Sequence, residues 1–174
     1  LFSLVVIFPI IYTISASFFT YADFTSIPAK LLPSSFYLEN YVRAFAETSL
    51  ARFLANYFVT ATLGMLLRMG ISIGAAYAFT FFTFKGRDLL FFVVIATMLL
   101  PSDALILANY STIRTLGLTD TYLGIISTKL LSPTHIFMLR QYFKTMSREY
   151  REAALIEGCS DARFITTLLL PISK

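Results

Sequence analysis

Long apolar stretches broken by short polar interruptions dominate the chain, with little alternation between faces. Residues 1–20, LFSLVVIFPIIYTISASFFT, are longer than a secretory hydrophobic region and have no basic stretch before them, so they predict a membrane span. Pro9 is expected to be tolerated there as a kink. Residues 21–52 mix Pro28, Pro33 and the Ser34-Ser35 pair with charges that cancel, Lys30, Arg43 and Arg52 against Asp23, Glu39 and Glu47. This reads as an extramembrane loop. From Phe53 to Phe84 only Asn56 and Arg68 interrupt the apolar run. Such a helix would be about 48 Å long against a hydrocarbon core of ~30 Å, which predicts a long, tilted second span.

Lys85-Gly86-Arg87-Asp88 then places a turn former among three charges, and Leu89 to Ala108 resume as a third span. Residues 109–120 carry Gly117 and turn-prone polar side chains. Residues 121–143 make a weaker fourth span containing Lys129, Pro133 and His135, which needs protein neighbours or a cavity on one side because lipid cannot satisfy those groups. The pattern therefore predicts an all-α, polytopic membrane protein with about four spans. Because residue 1 falls inside an apolar segment, the chain is expected to be a fragment.

The character changes at residues 147–174, SREYREAALIEGCSDARFITTLLLPISK. Ser147 can cap a helix whose first turn holds Glu149, Gly158 suits a left-handed position after its end, and Ser160 with Asp161 can start a second helix ended by Pro171. The product is a helix-glycine-helix elbow. Arg148, Glu149, Arg151 and Glu152 are expected to form rim ion pairs around a small apolar contact made by Ala153, Ala154 and Ile156.

Composition strengthens the membrane reading: 57% of residues are apolar and 14% charged, against about 25% charged in a soluble domain. The net charge of +4 is spread singly, which argues against nucleic acid as a partner. Lone Cys159 and His135 supply neither a disulfide nor a zinc site. Lys85, Arg87, Arg140, Lys144, Arg148, Arg151, Arg163 and Lys174 fall on one side of the predicted spans and Lys30, Arg43, Arg52 and Arg114 on the other. Eight against four places the first set, and the elbow with it, in the cytoplasm.

Glu152-Ala153-Ala154, three residues, Gly158, nine residues and Leu168-Leu169-Leu170-Pro171 resemble the E-A-A-x3-G-x9-I-x-L-P pattern of the membrane-spanning subunits of bacterial ABC importers. The one departure at a fixed position is Leu168 for Ile. Upstream, Ala75-Ala76-Tyr77-Ala78-Phe79, Phe84-Lys85-Gly86-Arg87, Met98-Leu99-Leu100-Pro101, Leu116-Gly117-Leu118 and Leu139-Arg140-Gln141-Tyr142-Phe143 look like the carbohydrate-uptake branch. Ser147 stands where that branch usually has Pro, and two further spans usually follow the motif.

The resemblance implies the type I importer transmembrane fold across residues 1–174, with the final spans absent and a coupling segment at 147–171. It implies a permease without its own ATPase site in a bacterial inner membrane, importing a sugar, an oligosaccharide or a glycerol phosphate. A second permease subunit, two ATP-binding subunits that use ATP and Mg, and an extracytoplasmic solute-binding protein would be its partners. ATPase coupling would run through Glu149, Glu152, Ala153, Ala154, Gly158, Leu170 and Pro171. The sequence agrees by omission, since it has no G-x-x-x-x-G-K-[ST] loop. Neither a G-x-S-x-G elbow nor an H-E-x-x-H pair supports the competing class, a membrane-embedded enzyme. A permease of a non-carbohydrate ABC importer would share the elbow motif, and a non-transporting scaffold would share the spans but leave that motif without a role.

Two charges sit deep in the spans. Arg68 and Asp103 lie at similar depth, roughly 21–24 Å from the inner ends of adjoining antiparallel helices, and could pair. With Asn109 and Tyr110 they are the candidates for a polar translocation cavity. Pro101 can open a helix turn there. Gly70, Gly74 and Ala78 form a small-residue stripe suited to close helix approach.

Overall fold

The computed structural model describes residues 2–172, without the side chains of residues 2–4, 102 and 103. Lys174 and the Asp103 side chain thus lie outside the described residues. The described chain is helical, and it divides into two compact units, Leu1–Phe58 and Val59–Lys174.

In the first unit, α1 (Phe2–Ala16) runs unbroken through Pro9. It ends four residues before the predicted boundary because Thr20 starts a new helix, α2 (Tyr21–Phe24). Thr20 and Asp23 close a capping box, each side chain accepting from the other residue's backbone N–H. The connection after α1 is pinned by Asn40 of α3 (Glu39–Glu47), whose Nδ2 donates to the carbonyls of Ser17 at 3.1 Å and Phe19 at 2.8 Å. Phe18 packs edge-on against Phe36 and lies beside Tyr41.

Asp23 is the electrostatic centre of this loop. It is only 2% exposed, and its carboxylate accepts from Lys30 Nζ at 2.7 Å, Ser34 Oγ at 2.6 Å and the Thr20 amide at 3.1 Å. Lys30, then Ser34, hold the carboxyl well below the usual carboxylate range, outweighing the opposing effect of burial.

The second unit contains most of α4 (Leu50–Phe81), a 32-residue helix. Among the described residues it is the one helix long and apolar enough to cross a membrane, and only 6% of its most apolar stretch is buried by the chain itself. Its buried face is Ser72, Ala76, Tyr77, Phe79 and Thr80. At its two glycines the stripe predicted for close approach meets no neighbour among the described residues: a Cβ on Gly70 or Gly74 would have nothing within 4 Å.

The third and fourth predicted spans are not single helices. The third splits into α5 (Arg87–Ala96), a 3-10 turn at Thr97–Leu99, a second at Ser102–Leu105, and α6 (Ile106–Thr115). Leu100 is extended (φ −80°, ψ 120°), the conformation forced on a residue before proline, here Pro101. The fourth divides into α7 (Tyr122–Ser127) and α8 (Pro133–Lys144). Ser132 is likewise extended before Pro133, and its Oγ accepts from the His135 amide, so the proline opens a helix here.

Between α6 and α7, the Gly117 amide bonds Arg114 O and the Leu118 amide bonds Ile113 O. With Gly117 at φ 69° this is a Schellman cap. Gly124 of α7 packs on that turn so closely that a Cβ would lie 2.2 Å from Leu118 O.

Gly124→Ala is therefore expected to lower the unfolding free energy by about 1–3 kcal/mol, read as a lower inactivation temperature of the detergent-solubilised protein. For Asp23, a depressed folded-state pKa means stability that is complete above the unfolded value of about 4 and lost as pH falls below it. Amide protection across residues 18–41, taken relative to the intrinsic exchange rate at each pH, should fall below about pH 4, and Asp23→Asn should lower it at neutral pH.

Candidate functional site

The elbow forms, and its joint is built by the backbone. Ser147 caps α9 (Arg148–Ile156) by accepting from the Glu149 amide at 3.2 Å. Its φ of −62° is the value a proline fixes, so the Ser at this position reaches the same backbone geometry. At the other end, the Gly158 amide bonds Leu155 O at 3.0 Å and the Cys159 amide bonds Ala154 O at 2.8 Å. This is the Schellman pair, with Gly158 at φ 74° as its left-handed residue. Cys159 and Ala154 accompany it in one apolar cluster.

Ser160 then caps α10 (Asp161–Phe164) through the Arg163 amide. Pro171 does not end this helix, contrary to expectation. The backbone widens into a π turn at Ile165–Leu169 and continues as α11 (Leu170–Ile172). A π turn relieves the clash between a proline ring and the carbonyl four residues back.

The elbow packs onto the end of α4. Ala154, Phe164 and Leu169 join Ala76, Tyr77 and Phe143 in the buried cluster. Above that apolar floor sits a polar clamp. The Tyr77 hydroxyl donates to Asp161 Oδ1. Arg151 Nε donates to the same Tyr77 oxygen at 2.8 Å, and its Nη2 lies 3.2 Å from Asp161 Oδ1. The Arg151 guanidinium also lies 5.1 Å from the Phe82 ring centre. One side chain from each elbow helix therefore meets at one phenol on the membrane-length helix.

This corrects the rim expected from the sequence. Arg151 turns inward to Tyr77 and Asp161, and Arg148, Glu149 and Glu152 make no ion pair among the described residues. Ala154 is buried against α4, so it is not part of an outward contact. Glu149, Glu152, Ala153 and Ile156, spaced as one helix face, are all exposed, Ile156 to 88%, and Tyr150 and Leu155 beside them are exposed too. Gly158 is exposed as well, and a Cβ there would meet nothing within 4 Å. Leu170 is half-buried and Pro171 exposed. Local pattern does not single out Tyr77 or Asp161, because a tyrosine near the end of an apolar run reads equally as an interfacial anchor and Asp161 as a helix-starting residue.

A separate cavity of about 600 Å³ lies between α6 and α7. Asn109 and Tyr110 line it, together with Thr119, Asp120 and Lys129. Arg68 is not in its wall: its Nε donates to the Lys129 carbonyl at 2.6 Å, fixing the end of α7 against α4. Among the described residues no group of three His, Cys, Asp or Glu side chains could hold a metal ion.

The fold is that of an ABC importer membrane domain. Over 99% of this chain and 61% of the other it superposes, with a TM-score of 0.85 and 26% identity, on a bacterial ABC transporter involved in import of the acidic polysaccharide alginate. Residues 68–174 match the binding-protein-dependent transport system inner membrane components, and the chain belongs to that family. It is thus an inner membrane component of a binding-protein-dependent transport system. Similar relatives are the sn-glycerol-3-phosphate transport system permease proteins UgpE of Brucella suis biovar 1 (37% identical), Rhizobium meliloti (36%) and Escherichia coli O1:K1 (31%). Each match covers 98% of this chain, which spans 63% of the relative's length.

Tyr77→Phe keeps the ring and removes the oxygen on which the clamp converges. Hydrogen bonds to charged groups contribute about 1.5–3 kcal/mol, so amide exchange over residues 148–164 should speed by about tenfold or more. Unchanged exchange there would show that the apolar cluster alone holds the elbow.

Proposed function

We propose that this chain is the permease subunit of an ATP-driven importer and that the elbow couples it to a separate ATPase. The clamp at Tyr77 carries this reading. It joins a surface built for contact to a helix of membrane length through charge-assisted hydrogen bonds, so a push on α9 reaches α4 without a flexible link. The outward face of Glu149, Glu152, Ala153 and Ile156 would dock in a cleft on the ATPase. Gly158, Leu170 and Pro171 shape the joint and the exit from it. Closure of two ATP-binding subunits around ATP and Mg would then rock the membrane helices between outward- and inward-facing states.

In this reading residues 1–20, 53–84, 89–108 and 121–143 cross the membrane as one continuous long helix and three shorter or broken paths. The breaks at Pro101 and Pro133 require that the backbone groups they release face protein or a cavity in the assembled bundle. A second permease subunit completes the bundle, and an extracytoplasmic binding protein delivers solute.

The solute class is a sugar or related small polyol, with glycerol 3-phosphate favoured. The relatives named for that solute match nearly the whole chain. The cavity beside α6 offers Asn109, Tyr110 and Thr128 for hydroxyl groups and Lys129 for an anion. Asp103, two residues before the cavity wall begins at Leu105, is proposed to border the pathway.

In the assembled transporter, Gly158→Leu should insert and assemble normally, since a Cβ there meets nothing within 4 Å, while strain of roughly 1–2 kcal/mol at a left-handed backbone distorts the joint. Glycerol 3-phosphate uptake by proteoliposomes should fall at least tenfold, with loss of solute-stimulated ATP hydrolysis. Normal coupling in this variant would count against the elbow's role. Asp103→Asn should change solute affinity; a change in assembly alone would assign that residue to structure, and uptake of an oligosaccharide but no glycerol 3-phosphate would correct the solute.

A further inference from the structure

A second cluster of charge lies at the same end of α4 and is not used by the clamp. The connection Phe82–Gly86 turns at Gly86 (φ 81°) and brings Arg87 and Asp88 to the start of α5, beside Arg140 of α8. Arg87 Nε donates to Asp88 Oδ1 at 3.2 Å, and Arg140 Nη2 stands 3.7 Å from the same oxygen. Arg140 is buried, its guanidinium 3.9 Å from the Phe91 ring centre. Its one hydrogen bond among the described residues runs from Nε to the Phe79 carbonyl at 3.4 Å.

These groups border a cavity of about 380 Å³ whose walls also include Lys144 and Arg148. Four cations thus surround a space that holds one carboxylate, and that carboxylate is already shared by two of them. The side chains of Lys144 and Arg148 make no hydrogen bond or ion pair among the described residues. An arginine has five N–H donors in a planar fork, and most of those on Arg140 have no acceptor. Arg140 shares its one carboxylate partner, Asp88, with Arg87, and holding a guanidinium in a half-apolar recess with so little compensation is costly unless a further anion completes it.

The walls suggest which anion. Phe79, Phe81, Phe143 and Met146 supply an apolar side next to the cations. Leu89 and Phe92 of the adjoining α5 are each 68% exposed, so the ground beside the cavity is apolar surface. Basic recesses between membrane helices match phosphate headgroups, since the phosphate accepts from guanidinium forks while the attached chains lie on apolar surface.

We propose that the cavity bounded by Arg87, Arg140, Lys144 and Arg148 binds one phosphate-bearing anion, supplied either by an anionic phospholipid headgroup or by free phosphate. The site is distinct from the solute cavity and does not depend on which solute is carried. Its failure would leave the coupling reading untouched.

The test uses the full-length chain assembled with its second permease and ATPase subunits, in zwitterionic detergent. Native mass spectrometry follows titration with phosphatidylglycerol, phosphatidylcholine or inorganic phosphate. Phosphatidylglycerol should bind at least tenfold more tightly than phosphatidylcholine and be displaced by millimolar phosphate. Lys144→Gln should weaken it several-fold, and Lys144→Arg should restore it. Binding of phosphate without preference for phosphatidylglycerol would uphold the anion site and assign its source to solution. Equal retention of both lipids with no phosphate binding would overturn the proposal. So would phosphatidylglycerol binding that Lys144→Gln leaves unchanged, or a site that is open in the permease pair but closed to phosphate once the ATPase is bound.

Discussion

One phenol holds the elbow end of this molecule together. Tyr77 Oη receives Arg151 from the first elbow helix and donates to Asp161 on the second, so the angle between those helices is referred to the end of α4. Gly158 alone would be a hinge. With the clamp in place the elbow becomes a bracket, because rotation about the glycine would separate Arg151 from Asp161 and leave both beside an apolar cluster without partners. The Schellman bonds at Leu155 and Ala154 set the direction of the turn, and the clamp holds it there.

The same constraint accounts for the choice of arginine. At Arg151 and again at Arg140, one planar guanidinium meets a carboxylate at its edge and an aromatic ring on its face. A lysine offers neither the fork nor the flat surface. Both arginines bind the end of α4, one to a side chain at Tyr77 and one to the carbonyl of Phe79, two residues on. Carbonyls near a helix end have no intrahelical partner, so Arg140 satisfies the terminus that Arg151 grips from another side.

How much of this can be read from residues follows from range. Ser147, Gly158 and Ser160 act within four residues of themselves, and the capped helices and left-handed joint stand where their types require. Proline is legible in part: Pro101 and Pro133 break their helices as the preceding-residue rule demands, yet apolar runs on either side disguise the breaks as continuous spans. Pro171 misleads in the other direction, since a π turn absorbs it. Pairings across the fold are not legible. Arg151 has Glu149 and Glu152 on its own helix but pairs with Tyr77, 74 positions away, and no local rule selects that partner over a nearby carboxylate.

The breaks and the one unbroken helix fit together physically. A coupling element can move a bundle only if something stiff carries displacement inward, and α4, with all 32 residues in one helix, is the stiff part. The helices around it are divided at Leu100 and at residues 128–132, where backbone groups released from helical bonding can face a cavity. Asn109, Tyr110 and Lys129 line the cavity in that divided region, and Arg68 links it to the rigid helix through the Lys129 carbonyl. On the proposed reading, a displacement of the elbow would therefore travel along α4 from Tyr77 to Arg68 and arrive at the wall of the solute cavity through a single hydrogen bond. An unbroken helix lies along the route and divided helices at its end, which is the distribution a lever needs if motion at one face is to change the shape of a site at the other.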